Sequence, residues 1–154
     1  MAYDVVVSYA REDRELVAKL CNQMIAEDVQ ARMAPRDTIM DQRYITEVND
    51  MMREAKTLVV VISQYSNSSG QVVRELELAE KNQLQILQVR LDDVKPSGSV
   101  GYYLSGKQWF DMLRKEVEPW ETAQKISNYL KTGSVEGSKD KKKSRWGLFK
   151  SRRK

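Results

Sequence analysis

The hexapeptide TLVVVI at residues 57–62 is the feature that most constrains the fold of this chain. It is rich in β-branched residues and has no alternation of polar and apolar positions, which predicts a strand buried on both faces. Similar but shorter runs occupy residues 4–8, 29–33, 84–89 and 108–110. The chain therefore has the material for five strands of a buried sheet.

Segments with apolar residues at helical spacing lie between these runs, at residues 12–26, from about 44 to 52, 71–82 and 117–130. Strands that alternate with helices indicate parallel βαβ units with helices on both faces. Right-handed crossovers then favour a flavodoxin-like α/β fold, a five-stranded parallel sheet in the order 2-1-3-4-5. The Pro/Gly/Ser-rich residues 95–101 are predicted to form a loop.

Composition divides the chain of 154 residues into a folded body and a basic tail. The whole chain has 41% hydrophobic and 31% charged residues, as is typical of a globular protein. Residues 1–131 are predicted to form one globular domain. Residues 132–154 are rich in Gly, Ser and Lys, with nine basic and two acidic residues, and are predicted to be disordered. Because the whole chain carries +4, this tail leaves the body at −3.

Three further observations indicate a cytoplasmic protein. The sequence enters its first strand at once, without the pattern of a signal peptide, and no apolar run reaches the ~20 residues of a membrane span. Cys21 is the single cysteine, so the chain cannot form an internal disulfide, in agreement with a reducing compartment. We expect Cys21 to be a small buried residue of the core.

The chain contains no histidine. This excludes Ser-His-Asp triads, His general bases and His-containing zinc sites, and we expect no bound metal. Any chemistry must therefore use carboxylates, hydroxyls, Lys, Arg or backbone groups.

Residues 63–79 (SQYSNSSGQVVRELELA) place one carboxylate, Glu75, one turn inside a helix, over the carboxyl end of the strand at 57–62. Open α/β sheets bind ligands at such ends, at the switch point between the first and third strands. The loops at 8–13 and 63–70 meet there. The sequence therefore predicts a site at Glu75.

An ordinary surface position is the alternative for Glu75, since most such charges are solvated. Val72, Leu76 and Ala79 predict the apolar face of the helix, with Glu75 at its border and Glu77 pointing away. From a border position, Glu75→Gln is expected to cost about 0.5 kcal/mol of stability or less.

Five segments in register resemble the TIR domain (Toll/interleukin-1 receptor/resistance), in its bacterial form. They span about residues 1–130 and are YDVVVSY at 3–9 followed by Asp13, APRD at 34–37, the stretch at 63–79, RLDDVKPSGSVGYYL at 90–104, and Gln108-Trp109.

The resemblance implies an enzyme that cleaves NAD⁺ at the ribosyl–nicotinamide bond, releasing nicotinamide and ADP-ribose, a cyclic form or a variant. NAD⁺ is then the substrate, and no cofactor is needed. Glu75 occupies the position of the catalytic glutamate of this family. The residues expected to bind substrate are Tyr9, Arg11, Arg36, Asp37, Ser63 and Gln71.

This chemistry needs no histidine. Glycosidases use a second carboxyl group to protonate a poor leaving group. The nicotinamide of NAD⁺ is already cationic and leaves as a neutral molecule, so one carboxylate is sufficient to stabilise the ribosyl cation and hold its hydroxyls.

Two departures from the family pattern favour a second interpretation. Met40-Asp41 stands where relatives commonly have Pro-Gly, and Gln71 stands where active relatives often have a stacking Trp. The alternative function is a non-catalytic TIR interaction module, a scaffold or a mimic of host adaptors. A receiver domain is excluded because the third strand ends in Ile62-Ser63, without a phosphate-accepting Asp.

Several of the predicted binding residues, and Trp109, also have an ordinary structural interpretation. Tyr9 and Trp109 fit core or rim aromatics, Arg11 and Arg36 fit surface charges, and Asp37 fits a turn or helix cap. Ser63 fits a serine that satisfies backbone groups of a turn.

The resemblance further implies homotypic TIR self-association and, in bacteria, a role in anti-phage defence. The tail at 139–154 combines basic residues with an apolar group, which predicts weak contact with a membrane surface or another anionic partner. The apolar group is Trp146, Leu148 and Phe149. No specific nucleic-acid contact is expected.

Overall fold

A computed structural model describes residues 3–36, 40–114 and 116–133 of the chain. The strands are β1 (Tyr3–Ser8), β2 (Ala31–Met33), β3 (Ala55–Ile62), β4 (Gln85–Arg90) and β5 (Trp109–Asp111). The helices are α1 (Arg14–Ala26), α2 (Gln42–Glu54), α3 (Gly70–Lys81), α4 (Gly98–Leu104) and α5 (Pro119–Thr132). Short 3₁₀ turns lie at Arg11–Asp13 and Ser66–Ser68.

The five strands form one parallel sheet in the order β2-β1-β3-β4-β5, which confirms the predicted topology. Val6 pairs with Leu58 at the centre of the β1–β3 contact, and Leu58 pairs in turn with Ile86 of β4. α1 packs against α5, while α3 packs against α2 and α4, so the helices cover the sheet as two groups. The carboxyl ends of β1 and β3 lie side by side at the switch point.

β3 supplies the centre of the core, as its sequence predicts. Its last six residues are fully or almost fully buried, and the final residues of β1 are buried beside them. Cys21 is buried on α1, in agreement with its predicted place in the core. Among the described residues, no helix is long and apolar enough to cross a membrane.

Side-chain caps set the starts of three helices. The Asp41 carboxylate accepts from the backbone N–H of Tyr44 at the start of α2, and Ser69 does the same for Val72 in α3. α5 begins with a capping box between Glu118 and Glu121, with a proline in its first turn. The three helices begin within a few residues of their predicted starts.

The loop predicted at residues 95–101 is wrong in its second half, because α4 begins at Gly98. Val100 and Leu104, one helical turn apart, are both buried, and their contacts outweigh the low helix propensity of the surrounding glycines. Gly101 is required here, since a Cβ at this position would lie 2.9 Å from the carbonyl oxygen of Pro96.

The predicted domain boundary at residue 131 lies one residue before the end of α5. The predicted disordered tail and its anionic contact concern residues 132–154, of which 134–154 lie outside the described residues. Both expectations for the tail stay predictions.

Candidate active site

Glu75 is fully buried and accepts four hydrogen bonds from three side chains. The guanidinium of Arg36 binds both carboxylate oxygens, with Nη1 at 2.7 Å from Oε2 and Nη2 at 2.6 Å from Oε1. The hydroxyl of Ser8 donates to Oε1 at 2.5 Å, and the phenol of Tyr44 donates to Oε2 at 2.6 Å. Each oxygen of the carboxylate therefore has two donors. We call these four residues the Glu75 cluster.

Four separate parts of the fold bring the Glu75 cluster together. Ser8 is the last residue of β1, Arg36 follows β2, Tyr44 lies in the first turn of α2 and Glu75 lies in the second turn of α3. Parallel strands end at the same edge of the sheet, so the residues that follow β1 and β2 converge beneath α3. The cap of α2 by Asp41 fixes the helix turn that carries Tyr44.

Arg36 is 2% exposed and is held from several sides. Its Nε donates to the carbonyl oxygen of Tyr9 and its Nη1 also donates to that of Pro35, while the guanidinium carbon lies 4.6 Å from the centre of the Tyr9 ring. Burial by itself would lower the pKa of Arg36. The hydrogen bond to Glu75 and the negative charge of that carboxylate outweigh this effect, so the pKa of Arg36 lies above its ordinary value. Arg36 therefore keeps its positive charge in the buried cluster.

Tyr44 remains a protonated donor at any pH that the fold experiences. Burial, followed by the negative charge of Glu75, raises the pKa of the Tyr44 phenol far above its usual range. The hydroxyl of Tyr9 donates to the carbonyl oxygen of Ala34 at 2.8 Å, which fixes the ring against which Arg36 lies.

A second charged cluster lies at the carboxyl ends of β1, β3, β4 and β5, and we call it the Asp13 cluster; its members are Asp13, Ser63, Asp92 and Arg114. Asp13 is buried and accepts from the hydroxyl of Ser63 and, at 2.5 Å, from Nη2 of Arg114. Arg114 also donates its Nε to Asp92 at 2.7 Å. The hydrogen bond to Asp92 raises the pKa of Arg114, and the same bond holds the pKa of Asp92 below its ordinary value despite partial burial.

The predicted site residues occupy different places. Arg36 binds Glu75 directly, and Tyr9, 1% exposed, packs on Arg36. Ser63 belongs to the Asp13 cluster, where its hydroxyl also accepts from the backbone N–H of Tyr65. Arg11 is exposed.

Gln71 is half-buried in the first turn of α3, and Asp37 lies outside the described residues. The structural interpretation of Ser63 as a turn residue agrees with its contacts, whereas that of Arg36 as a surface charge is wrong. Burial of Tyr9 fits a core aromatic, and Trp109, 51% exposed, fits a rim aromatic.

The border position predicted for Glu75 is wrong. Val72, Leu76 and Ala79 are buried as expected, but Leu78 is also buried at 5% exposure. On a helix, Leu78 lies on the opposite side of Glu75 from Val72, so the carboxylate falls within the buried face rather than at its edge. Glu77 is exposed, as predicted. The small stability cost expected for Glu75→Gln no longer holds.

Sequence reasoning missed the roles of Ser8, Tyr44, Arg114 and Asp92. Ser8 carried one signal, because a hydroxyl at the end of a buried apolar strand needs a partner. Tyr44 and Arg114 carried none, since their partners lie 31 and 101 positions away in sequence. Among the described residues, no group of three or more acidic or thiol side chains is placed to bind a metal ion.

The comparisons with known proteins agree with this architecture. A family model described as the TIR domain matches residues 5–127. The chain belongs to the TIR-domain family. Among proteins of curated function, none is similar enough in sequence to serve as a relative.

Solved TIR domains share the fold. The TIR domain of the Toll-related receptor TRR-2 from Hydra magnipapillata is 19% identical, with a TM-score of 0.66 over 84% of this chain and 99% of that chain. The TIR domains of the activated Roq1 resistosome, which recognises the pathogen effector XopQ, are 24% identical. The TM-score is 0.51 over 82% of this chain and 84% of that chain. The RPS4 and RRS1 TIR domain heterodimer is 17% identical, with a TM-score of 0.57 over 83% of this chain and 95% of that chain. At these identities the likeness concerns the fold.

Proposed function

We propose that this TIR domain is an NAD⁺ nucleosidase in which Glu75 stabilises the ribosyl cation. The observation that carries the proposal is the position of Glu75, the one acid of its cluster, near the carboxyl ends of the two central strands and surrounded by hydroxyl and guanidinium donors. In bacteria, the activity would serve anti-phage defence by depleting NAD⁺ or by producing a nucleotide signal.

The reaction breaks the bond between the ribosyl carbon and the ring nitrogen of nicotinamide. The bonding electrons go to the ring, which leaves as neutral nicotinamide, and positive charge develops on the ribose. Water then adds to that carbon and loses a proton, giving ADP-ribose, or an internal nucleophile of the substrate adds instead and gives a cyclic product. A carboxylate close to the ribose favours the first step because its attraction grows as the positive charge develops.

The described state holds Glu75 away from any substrate, because all four of its hydrogen bonds are internal. Catalysis therefore requires Arg36 to turn away from the carboxylate. A guanidinium released in this way is well suited to bind the pyrophosphate of NAD⁺. We propose that Arg36 exchanges the carboxylate for the substrate's phosphates, which couples binding to exposure of Glu75.

The test is incubation of concentrated protein with NAD⁺, with and without a crowding agent, and identification of products by mass. Wild type and the control Glu77→Gln, on the exposed side of the same helix, should release nicotinamide equally. Glu75→Gln should be slower by ~10²-fold or more per folded molecule. Equal nicotinamide release by Glu75→Gln would show that another group carries the reaction.

A second variant covers the case in which Glu75→Gln does not fold. Arg36→Met combined with Glu75→Leu removes both buried charges at similar volume, an exchange that proteins often tolerate. The folded double variant should release no nicotinamide. Retained turnover in this variant would exclude Glu75 as the catalytic residue.

The alternative function is a non-catalytic TIR interaction module, and the full burial of Glu75 favours it. A carboxylate with four internal donors serves the packing of α3 on the sheet without any substrate. The RPS4 and RRS1 TIR domains form a heterodimer, and we propose that this chain also associates with copies of itself. If the assembled wild type leaves NAD⁺ intact while sedimentation detects oligomers, this function replaces the first.

A further inference from the structure

A cleft of about 320 Å³ lies between α4 and the adjoining parts of β4 and β5. None of its described lining residues belongs to the Glu75 cluster or to the Asp13 cluster. Its volume is at the lower end of the range for small-molecule sites. The lining residues that matter here are Gln88, Arg90, Lys95, Lys107 and Trp109.

The charge of this cleft is positive. Arg90, Lys95 and Lys107 line it, and no described lining residue is acidic. Arg90 uses its Nε for Asp111 at 3.1 Å, which leaves the two terminal nitrogens of the guanidinium for other partners. No described carboxylate pairs with Lys95, and Lys107 reaches Glu80 only at 3.7 Å. Two of these cations are balanced in part by acids outside the lining, and the positive charge that remains in the cleft favours an anionic ligand.

Trp109 gives the cleft a flat apolar surface. Its side chain is 51% exposed, although the neighbouring Phe110 is buried. The guanidinium carbon of Arg90 lies 5.5 Å from the centre of the indole ring. An exposed indole next to a guanidinium is suited to stack on a planar ring that carries an anionic group.

Gln88 adds an unused hydrogen-bond acceptor. The residue is only 6% exposed, and its amide nitrogen donates to the carbonyl oxygens of Leu104 and Lys107, both at 3.1 Å. These two bonds occupy both amide protons and fix the orientation of the side chain. No described residue donates to its Oε1, and an unpaired buried acceptor is costly. A ligand that lies in the cleft and carries an N–H or O–H group would satisfy it.

We propose that this cleft binds a small molecule that combines a planar ring with a phosphate, of the nucleoside monophosphate class. The ring stacks on Trp109, the phosphate binds Lys95 and the free nitrogens of Arg90, and an amino or hydroxyl group donates to Gln88. A flat acidic peptide would use the cations and the indole, but it has no reason to reach the buried Gln88. The site does not depend on the proposed NAD⁺ cleavage.

The test uses adenosine monophosphate as the probe and calorimetric titration of the full chain. Lys95→Gln should weaken binding by at least about fivefold, because it removes a charge-assisted contact. Trp109→Leu should weaken it by about tenfold through the loss of stacking. Lys125→Gln, which removes an exposed cation from α5, is the matched control and should bind like wild type. Circular dichroism establishes that each variant is folded.

Four results would overturn the proposal. The first is no heat of binding with the nucleotide at about 1 mM, where even weak specific sites are occupied. The second is inorganic phosphate binding as tightly as the nucleotide, which would exclude a role for Trp109. The third is loss of binding in the Arg36→Met, Glu75→Leu double variant together with full binding by Lys95→Gln, which would place the nucleotide at the Glu75 cluster. An acidic peptide that competes at equal affinity would identify a protein-docking surface instead.

Discussion

The Glu75 cluster and the Asp13 cluster lie at the same edge of the sheet and use the same chemistry, an arginine bound to a carboxylate. They differ in their access to water. Both side chains of the Arg36–Glu75 pair are 0% exposed, whereas the Arg114 side chain is 35% exposed and that of its second partner, Asp92, is 17% exposed. Arg114 divides its donors between two carboxylates, while Arg36 binds one carboxylate with two nitrogens.

The difference determines what the loss of one partner does. In the Glu75 cluster, a charge that loses its partner remains without water, so the penalty is large. In the Asp13 cluster, Arg114 is able to turn toward solvent or keep Asp92, so the penalty is smaller. Loss of either partner of the buried Arg36–Glu75 pair is therefore strongly destabilising. Loss of one partner in the Asp13 cluster costs only part of the stability that this cluster provides.

The largest expected effect is that of Glu75→Gln on stability. The amide keeps the shape of the side chain but leaves the charge of Arg36 buried without a counterion, which should cost about 3–5 kcal/mol. Urea unfolding measures the loss, with Glu77→Gln as the control, expected within about 0.5 kcal/mol of wild type. A loss below about 1 kcal/mol would mean that water reaches Arg36, and the contrast between the clusters would fail.

The next effect is the recovery of stability when both charges of the buried Arg36–Glu75 pair are removed. Arg36→Met combined with Glu75→Leu should regain more than half of the stability that Glu75→Gln loses, because no buried charge remains. A double-mutant cycle with Arg36→Met and Glu75→Leu singly gives the coupling free energy. If the double variant is less stable than either single variant, the cost comes from packing rather than from charge.

Asp13→Asn should have an intermediate effect of about 1–3 kcal/mol. Asn cannot accept from Ser63 and Arg114 as a carboxylate does, but Arg114 retains Asp92. The same denaturant measurement ranks this variant against Glu75→Gln. A loss as large as that of Glu75→Gln would show that the Asp13 cluster is as closed to water as the Glu75 cluster.

The smallest effect concerns acid. The hydrogen bond from Arg114 lowers the pKa of Asp92 below the ordinary value of about 3.9, so this carboxylate stabilises the fold at higher pH. Its contribution is complete above that ordinary pKa and is lost as the pH falls through the lowered one. Asp92→Asn should therefore reduce the melting temperature at pH 7 by a few degrees and flatten its decline in acid. Parallel melting curves of variant and wild type from pH 7 to pH 3 would contradict this.

Most of the fold follows from the sequence because its signals are local. The β-branched run of β3 and the helical spacing of apolar residues act over a few positions, and the rules of crossover handedness then fix the strand order. α4 was missed because its helix depends on contacts of Val100 and Leu104 with the rest of the fold rather than on its own glycine-rich sequence.

The candidate site follows only in part. The position of Glu75 at the switch point depends on topology and could be predicted, whereas its partners could not, because Arg36, Tyr44 and Glu75 come from three separate elements. The predicted apolar face of α3 left out Leu78, which is also buried, so Glu75 lies inside the buried face rather than at its border. A buried carboxylate requires hydrogen-bond or ionic partners, but the border position predicted for Glu75 gave no reason to look for them.

The Asp13–Arg114 bond also has a consequence for the kinetics of folding. Its two residues lie 101 positions apart, so the bond closes a loop that contains most of the domain. Such a contact is expected to form late, after β1, β3 and β4 have already assembled. Interactions that are absent from the transition state leave the folding rate unchanged and slow unfolding. We therefore expect this bond to set the lifetime of the native chain, while the local pairing of the central strands sets the rate at which that chain is formed.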